Sequence, residues 1–275
     1  MLNEYSFGDI YIRRAIDQHP NDKDFEMHIH EQCEIYFFIS GRVDYLVEGS
    51  KYPLEKHSLM IMRPCESHKA KIVESRRYER YALNFPLSFA ASVDPQNMLM
   101  KPFCHRPLGK NNLFTSDQLD MTLIHKLFYE MCIAGDDYTR RLTITIHLLT
   151  LLEQIYRAFS KNTAVSNPPQ SFAERMVLYV NQHLFDDLSV PILAKHFYLS
   201  PSQFSRVFKQ ATGAAPWTYI MKKRLTAAKE KIRSGCSAQK ACKDCGFNDY
   251  SVFYRAYTKH FGGAPADDLG HFRLH

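Results

Sequence analysis

Two stretches of this chain, FSRVFKQATGAAP at 204–216 and FYRAYTKHFGGAP at 253–265, align without a gap at an offset of 49 residues. Phe204, Arg206, Phe208, Gly213, Ala215 and Pro216 meet Phe253, Arg255, Tyr257, Gly262, Ala264 and Pro265. Recurrence of aromatics, arginine, glycine and proline in register means that this part of the chain folds as two similar modules. The same grammar precedes each copy. Before the first, 190–197 has the spacing of a short helix with Leu193 and Ala194 inward. Tyr198 and Leu199 then make a turn, and Ser200 is placed to cap the next helix with Pro201 at its first position. Before the second, 237–245 is the short helix, Gly246 and Phe247 the turn, and Asp249 the cap. Helix, tight turn and capped helix together are the pattern of a helix-turn-helix unit.

On the first capped helix, helical spacing turns Phe204, Val207, Phe208 and Ala211 inward and leaves Ser202, Ser205, Arg206 and Lys209 outside. On the second, Phe253 and Tyr257 turn inward, leaving Tyr250, Ser251, Tyr254, Arg255 and Lys259. Arginine can pair bidentately with guanine O6 and N7, serine can meet any base edge, and lysine suits phosphate as a point charge. Between the copies, 217–233 reads as one amphipathic helix with Met221, Leu225, Ala228 and Ile232 on its buried side, ending at Gly235. Such a spacer would place two reading helices in successive major grooves, roughly 34 Å apart. Charge agrees: the net +6 divides into +7 for residues 172–275 and −1 for the remainder, and a basic segment on a neutral one suits a polyanion.

The first half has a different rhythm. Short apolar or alternating runs at 6–13, 25–29, 34–40, 43–47, 59–62, 70–73 and 80–85 predict strands of an antiparallel sandwich or barrel. Helical stripes follow, Leu123, Ile124, Leu127, Phe128 and Met131, then Ile144, Leu148, Leu151, Leu152, Ile155 and Phe159, joined at 134–137 as a hairpin. KNTAVSNPPQS at 161–171 is polar, with paired prolines, and reads as a linker. The expected architecture is α+β in two domains. Residues 1–160 form an antiparallel β-barrel with a helical hairpin, 161–171 the linker, and 172–275 an all-α domain.

The segments LAKHFYLSPSQFSRVFKQATG, YIMKKRLTAAKEKI (with Arg224 and Leu225) and GFNDYSVFYRAYTKHFG are similar to the DNA-binding domain of the AraC/XylS family of transcription regulators. The resemblance covers 172–275. It implies two helix-turn-helix units joined by a helix, promoter binding and, usually, activation of transcription. Carried onto this chain, the base-facing positions are Ser202, Ser205 and Arg206, then Ser251, Val252, Tyr254 and Arg255. The chain departs from the family at Ala238, Ala241 and Cys245, where large aliphatics are usual, at Cys242, where alanine is usual, and at Asp268-Leu269, where Tyr-Arg is common. The second unit is therefore expected to pack less tightly than the first.

In the first half, HIHEQCEIYFFISG has the spacing of a first cupin motif, with His28, His30, Glu34 and Gly41, and His68 falls where a second motif supplies histidine. On a strand His28 and His30 would share a face, so these residues either ligate a divalent metal or stabilise the barrel and line a pocket. RPCESH lacks the glycine of a second motif, which favours the pocket. Candidate effector-binding residues are His28, His30, Glu34, Tyr36, Met62, His68 and Tyr81. The family resemblance implies a cupin-like sensor barrel for a small polar effector, often a sugar, and a homodimer through the 117–159 helices. Promoter DNA is the expected partner, and RNA polymerase a candidate one.

No cofactor and no enzymatic chemistry are expected. Seven cysteines, odd in number and irregularly spaced, are no disulfide framework, and no secretory leader or 18-residue apolar run is present, so a cytoplasmic, non-membrane protein is expected. Cys236, Cys242 and Cys245 read as small hydrophobes rather than as metal ligands.

Overall fold

The structure is a computed structural model that describes residues 4–133, 135–161 and 171–269. Its contacts divide the chain into two units: Met1–Glu26 with Gln32–Pro168, and Met27–Glu31 with Pro169–His275.

The first unit opens with β1 (Glu4–Phe7), β2 (Ile10–Asp17), β3 (Cys33–Ser40), β4 (Val43–Val47), β5 (Ser50–Pro53), β6 (Ser58–Met62), β7 (His68–Ile72) and β8 (Tyr78–Phe85). A short helix α1 (Lys101–Cys104), the two-residue β9 (Leu113–Phe114) and helices α2 (Met121–Ile133) and α3 (Asp137–Lys161) follow. Six strands form one antiparallel sheet in the order β1-β2-β8-β3-β6-β9, and three form another, β5-β4-β7.

The near-continuous apolar run of β3, CEIYFFIS, is explained by its central place in the larger sheet, which is covered on both faces. Successive side chains alternate. Ile35 and Phe37 join Leu59, Ile61, Tyr81, Leu83 and Phe85 in a core with Ile124, Phe128, Ile144, Leu148, Leu151, Leu152 and Ile155 of the two helices. Tyr36 and Phe38 join Met60, Met62 and Tyr78 in a second core with Val43, Tyr45, Val47 and Ala70 of the smaller sheet. The unit is thus helices, large sheet and small sheet in layers.

The predicted strands appear with four corrections, the first being that β5 (Ser50–Pro53) lies outside every predicted run. The run at 6–13 is split by a turn at Gly8, whose φ of +52° supplies the left-handed backbone that a two-residue hairpin needs. The run at 25–29 is not a strand; only His28 makes an isolated bridge. Leu113 and Phe114, outside every predicted run, form the edge strand β9. In RPCESH, the place of a second cupin motif, Glu66 serves a structural purpose. Its carboxylate accepts from Arg106 Nη1 at 2.8 Å and Nη2 at 2.5 Å, from Gly109 N at 2.9 Å and from Asn112 Nδ2 at 3.0 Å, with both charged groups fully buried. Burial alone would raise its pKa, but Arg106 and the Gly109 backbone N–H hold it below the usual carboxylate value.

The second unit contains α4 (Phe172–Gln182), α5 (Val190–His196), α6 (Pro201–Thr212), α7 (Pro216–Arg233), α8 (Ala238–Asp244) and α9 (Tyr250–Phe261). Helix α4, which no motif announced, starts in a capping box made by Ser171 and Glu174. The 162–170 part of the expected linker and Ala134 of the expected hairpin turn lie outside the described residues. Two apolar cores divide the unit. Met176, Val177, Val180, Leu193, Ala194, Phe204 and Phe208 pack with Tyr219 and Ile220 of α7; Ala241, Cys242, Cys245, Phe247, Phe253 and Tyr257 pack with Leu225, Ala228 and Ile232 of the same helix. Among the described residues, no helix is long and apolar enough to cross a membrane.

Candidate DNA-reading helices and sensor face

Helix α5 begins at Ser189, whose side chain accepts from Ile192 N, and its end is closed by Leu199 N donating to Ala194 O at 2.9 Å. Tyr198 makes that turn with φ +56° and is 97% exposed, a left-handed backbone held by a bulky residue. Ser200 then caps α6 reciprocally. Its Oγ accepts from Gln203 N at 3.3 Å, and its own N–H donates to Gln203 Oε1 at 3.0 Å. Gly213, at φ +82°, ends the helix. These fixed ends set which side of α6 faces out. Phe204 and Phe208 are buried; Ser202, Arg206 and Lys209 are exposed, Ser205 is half-buried, and Val207, predicted inward, is only half-buried.

The second module repeats the construction. Ser237 caps α8, Phe247 N donates to Cys242 O at 3.1 Å, Gly246 turns at φ +76°, and Asp249 Oδ1 accepts from Val252 N at 2.9 Å. Phe253 and Tyr257 are buried, and Tyr250, Ser251, Val252, Tyr254, Arg255 and Lys259 are exposed. Every position predicted to face DNA on α9 is therefore at the surface. The equivalence at 49 residues is not uniform: the caps ending α5 and α8 are Phe197 and Cys245, 48 apart, whereas those starting α6 and α9 are Ser200 and Asp249, 49 apart. The second turn is one residue longer.

The departures of the second module acquire explanations. Ala241, Cys242 and Cys245 are buried among aromatics, and burial pushes the Cys245 thiol up to about 11, which suits an unreactive packing group. Asp268 Oδ2 accepts from the Tyr257 hydroxyl at 2.6 Å, and burial together with that carboxylate raises the pKa of the phenol.

In the first unit, Glu34, Tyr36 and Met62 lie on the face of the large sheet that meets the small one, where Tyr45 and His68 come from β4 and β7. His68 Nε2 is 3.3 Å from Glu34 Oε2, its Nδ1 lies 2.8 Å from Glu66 O, and Asn84 Nδ2 donates to the same Glu34 oxygen at 3.2 Å. Burial favours neutral imidazole, but the Glu34 carboxylate prevails and raises the His68 pKa. The His68 ring stacks on Tyr45, Tyr45 packs tilted against Tyr36, and the hydroxyls of Tyr36 and Tyr78 are hydrogen-bonded.

Tyr81 is placed elsewhere. It lies on the opposite face of the large sheet, against Phe37 and Phe128, because it is an odd number of residues from Tyr78. His28 is exposed, and both it and His30 belong to Met27–Glu31, the segment counted with the second unit rather than with the sheets. The expectation that His28 and His30 share an inward strand face is thereby corrected. Of the metal candidates, Glu34 and His68 are the pair that one unit brings together. Sequence reasoning missed Tyr45, Tyr78 and Asn84; the signal was parity, since Tyr78 and Asn84 face the same way along β8.

Two family models match the chain: an AraC-like ligand binding domain over residues 12–164 and a helix-turn-helix domain over 193–269. Among curated relatives, the probable transcriptional regulator LumQ of Photobacterium leiognathi is 30% identical over 256 residues, covering 89% of this chain and 92% of its own length. The HTH-type transcriptional activator RhaS of Escherichia fergusonii is 23% identical, with 88% and 87% covered. The regulatory protein PocR of Salmonella typhimurium is 29% identical over 107 residues, and there the chain spans only 35% of the relative's length. With both of its halves accounted for in this way, the chain belongs to the AraC family of transcription regulators, a ligand-binding domain followed by a helix-turn-helix DNA-binding domain.

Proposed function

We propose that this regulator activates transcription from specific promoters in the cytoplasm when a small polar effector, such as a sugar, binds its N-terminal domain. The observation that carries the reading is the chemistry of α6 and α9. Each is capped at both ends, each shows serine, arginine and lysine on its exposed side, and neither contains a carboxylate. Arg206 and Arg255 serve base edges, while Lys209 and Lys259 serve phosphates. Activation is supported by the name of RhaS, a transcriptional activator, and brings RNA polymerase in as a partner.

The effector reading is supported by the face between the two sheets, where Glu34, His68, Asn84 and the tyrosine hydroxyls stand beside Met60 and Met62. Hydroxyl-rich ligands match that mixture of donors, acceptors and apolar walls. Of the sequence-derived candidates, Glu34, Tyr36, Met62 and His68 lie on this face and support the role. The effect on DNA is relayed through 161–171, between a sensor domain of 1–160 and a DNA-binding domain of 172–275.

A homodimer is part of the reading, through a different surface from the predicted stripes. Ile144, Leu148, Leu151, Leu152 and Ile155 are consumed by the core. Tyr138, Leu142 and Ile146 form a second stripe along α3 that stays exposed, and Tyr129 and Ile133 do the same on α2.

Selection from a random duplex pool with the full-length chain tests the function. One sequence should emerge, its affinity falling steeply with salt, and addition of the right effector should change occupancy. Equal affinity for every duplex, or none, would overturn the reading.

A further inference from the structure

The two reading helices share a framework and differ in chemistry. Aligned through Phe204 and Phe253, Ser202 meets Ser251 and Arg206 meets Arg255, but Gln203 meets Val252 and Ser205 meets Tyr254. In α6 the Gln203 side chain is held by the capping box, its Oε1 accepting from Ser200 N at 3.0 Å. In α9 the cap is one-sided. Asp249 accepts from Val252 N, and valine has no polar atom to return the bond. Val252 is 47% exposed; Tyr254 at 43% and Tyr250 at 40%, one helical turn apart with rings 6.4 Å from each other, are exposed on another side of the helix. The core does not require these side chains, because Phe253 and Tyr257 already fill the inward side of α9.

An isopropyl group and a phenol ring therefore stand on the same exposed helix as Ser251, Arg255 and Lys259. Among the groups that base pairs display in the major groove, the apolar one is the C5 methyl of thymine. Resting on the DNA-binding reading above, we propose that Val252 and Tyr254 read thymine methyl groups. The half-site of the second module is then thymine-bearing, whereas the first module selects by hydrogen bonds from Ser202 and Arg206. Arg255 and Lys259 supply the charge that draws these two apolar groups to a duplex.

Deoxyuridine, which is thymidine without that methyl, is the probe. In the duplex selected by the full-length chain, each thymine is replaced singly by deoxyuridine. At one or two positions the wild-type affinity should fall about fourfold, the effect of one buried methyl. Val252→Ala or Tyr254→Ala should bind the thymine and uracil duplexes equally at such a position, Val252→Ile should keep the difference, and Arg206→Ala should leave it intact. Equal binding of thymine and uracil duplexes at every position overturns the proposal while promoter binding stands, as does a uracil effect that persists in both alanine variants. If no duplex is selected at all, the DNA-binding reading fails and this proposal with it.

Discussion

Arg224 and Gly246 occupy each other's space: Arg224 Nη1 donates to the Gly246 carbonyl at 2.6 Å, and a Cβ at residue 246 would fall 2.9 Å from Arg224 Cζ and 2.8 Å from Phe185 O. The same guanidinium donates to Leu184 O at 2.7 Å and Asp186 O at 2.6 Å, so one buried side chain fastens the α4–α5 connection to the turn of the second module. Gly246→Ala should lower stability by roughly 2–4 kcal/mol, combining a left-handed backbone with overpacking. Gly262, at φ +80° with open space around it, is the control, and Gly262→Ala should cost only about 1 kcal/mol. Urea unfolding followed by circular dichroism measures both, and equal losses would remove the crowding argument.

Arg206 and Lys209 are both exposed on α6 and should fail differently. Arg206→Ala is expected to weaken the selected duplex by about 1–3 kcal/mol and relax preference at one base pair. Lys209→Ala should weaken selected and random duplexes alike and reduce the salt slope by about one. Titrations at several salt concentrations separate the two patterns. Equal losses on both duplexes for the Arg206 variant would argue against its reading a base.

Leu142 lies on the exposed stripe of α3, opposite the buried one. Leu142→Arg should leave thermal stability within about 0.5 kcal/mol of wild type, as for a surface change. The same substitution should convert a dimer to a monomer in sedimentation equilibrium, since a charge has been placed in an apolar interface. An unchanged dimer mass would show that this stripe is not the contact.

His125 is half-buried on α2, its ring 6.0 Å from Phe37, 6.1 Å from Tyr81 and 6.1 Å from His57. Burial, then the His57 and Arg14 charges, depress its pKa, with Glu79 opposing. The folded form therefore binds this proton less readily than the unfolded chain. The stabilisation is fully present above the unfolded value, about 6.5, and is lost as pH falls through the folded one. The stability difference between wild type and His125→Phe, measured by urea unfolding at a series of pH values, should shift against wild type below about pH 6.5. A difference independent of pH would show that His125 does not titrate in this way.

The double helical module was legible because its constraints are local: serine or aspartate at a cap, glycine after a helix, aromatics at i and i+4. The longer second turn was hidden because Tyr198 takes a left-handed backbone without being glycine, so nothing marked the end of α5. Strand existence was equally clear in CEIYFFIS, but facing was not. With both faces buried, polarity cannot tell Tyr36 from Phe37, and the expectation for Tyr81 falls on the wrong side of the sheet. β9, two residues long, had no period to detect. The spacing of HIHEQCE suggests a strand through His28 and His30, but strand β3 begins only at Cys33.

Helix α7 gives Tyr219 and Ile220 to one core and Leu225, Ala228 and Ile232 to the other. A chain truncated to a single module would carry this shared rib with one flank bare and oily, prone to clump with its own kind. Each reader thus keeps its rib covered only while the other is present.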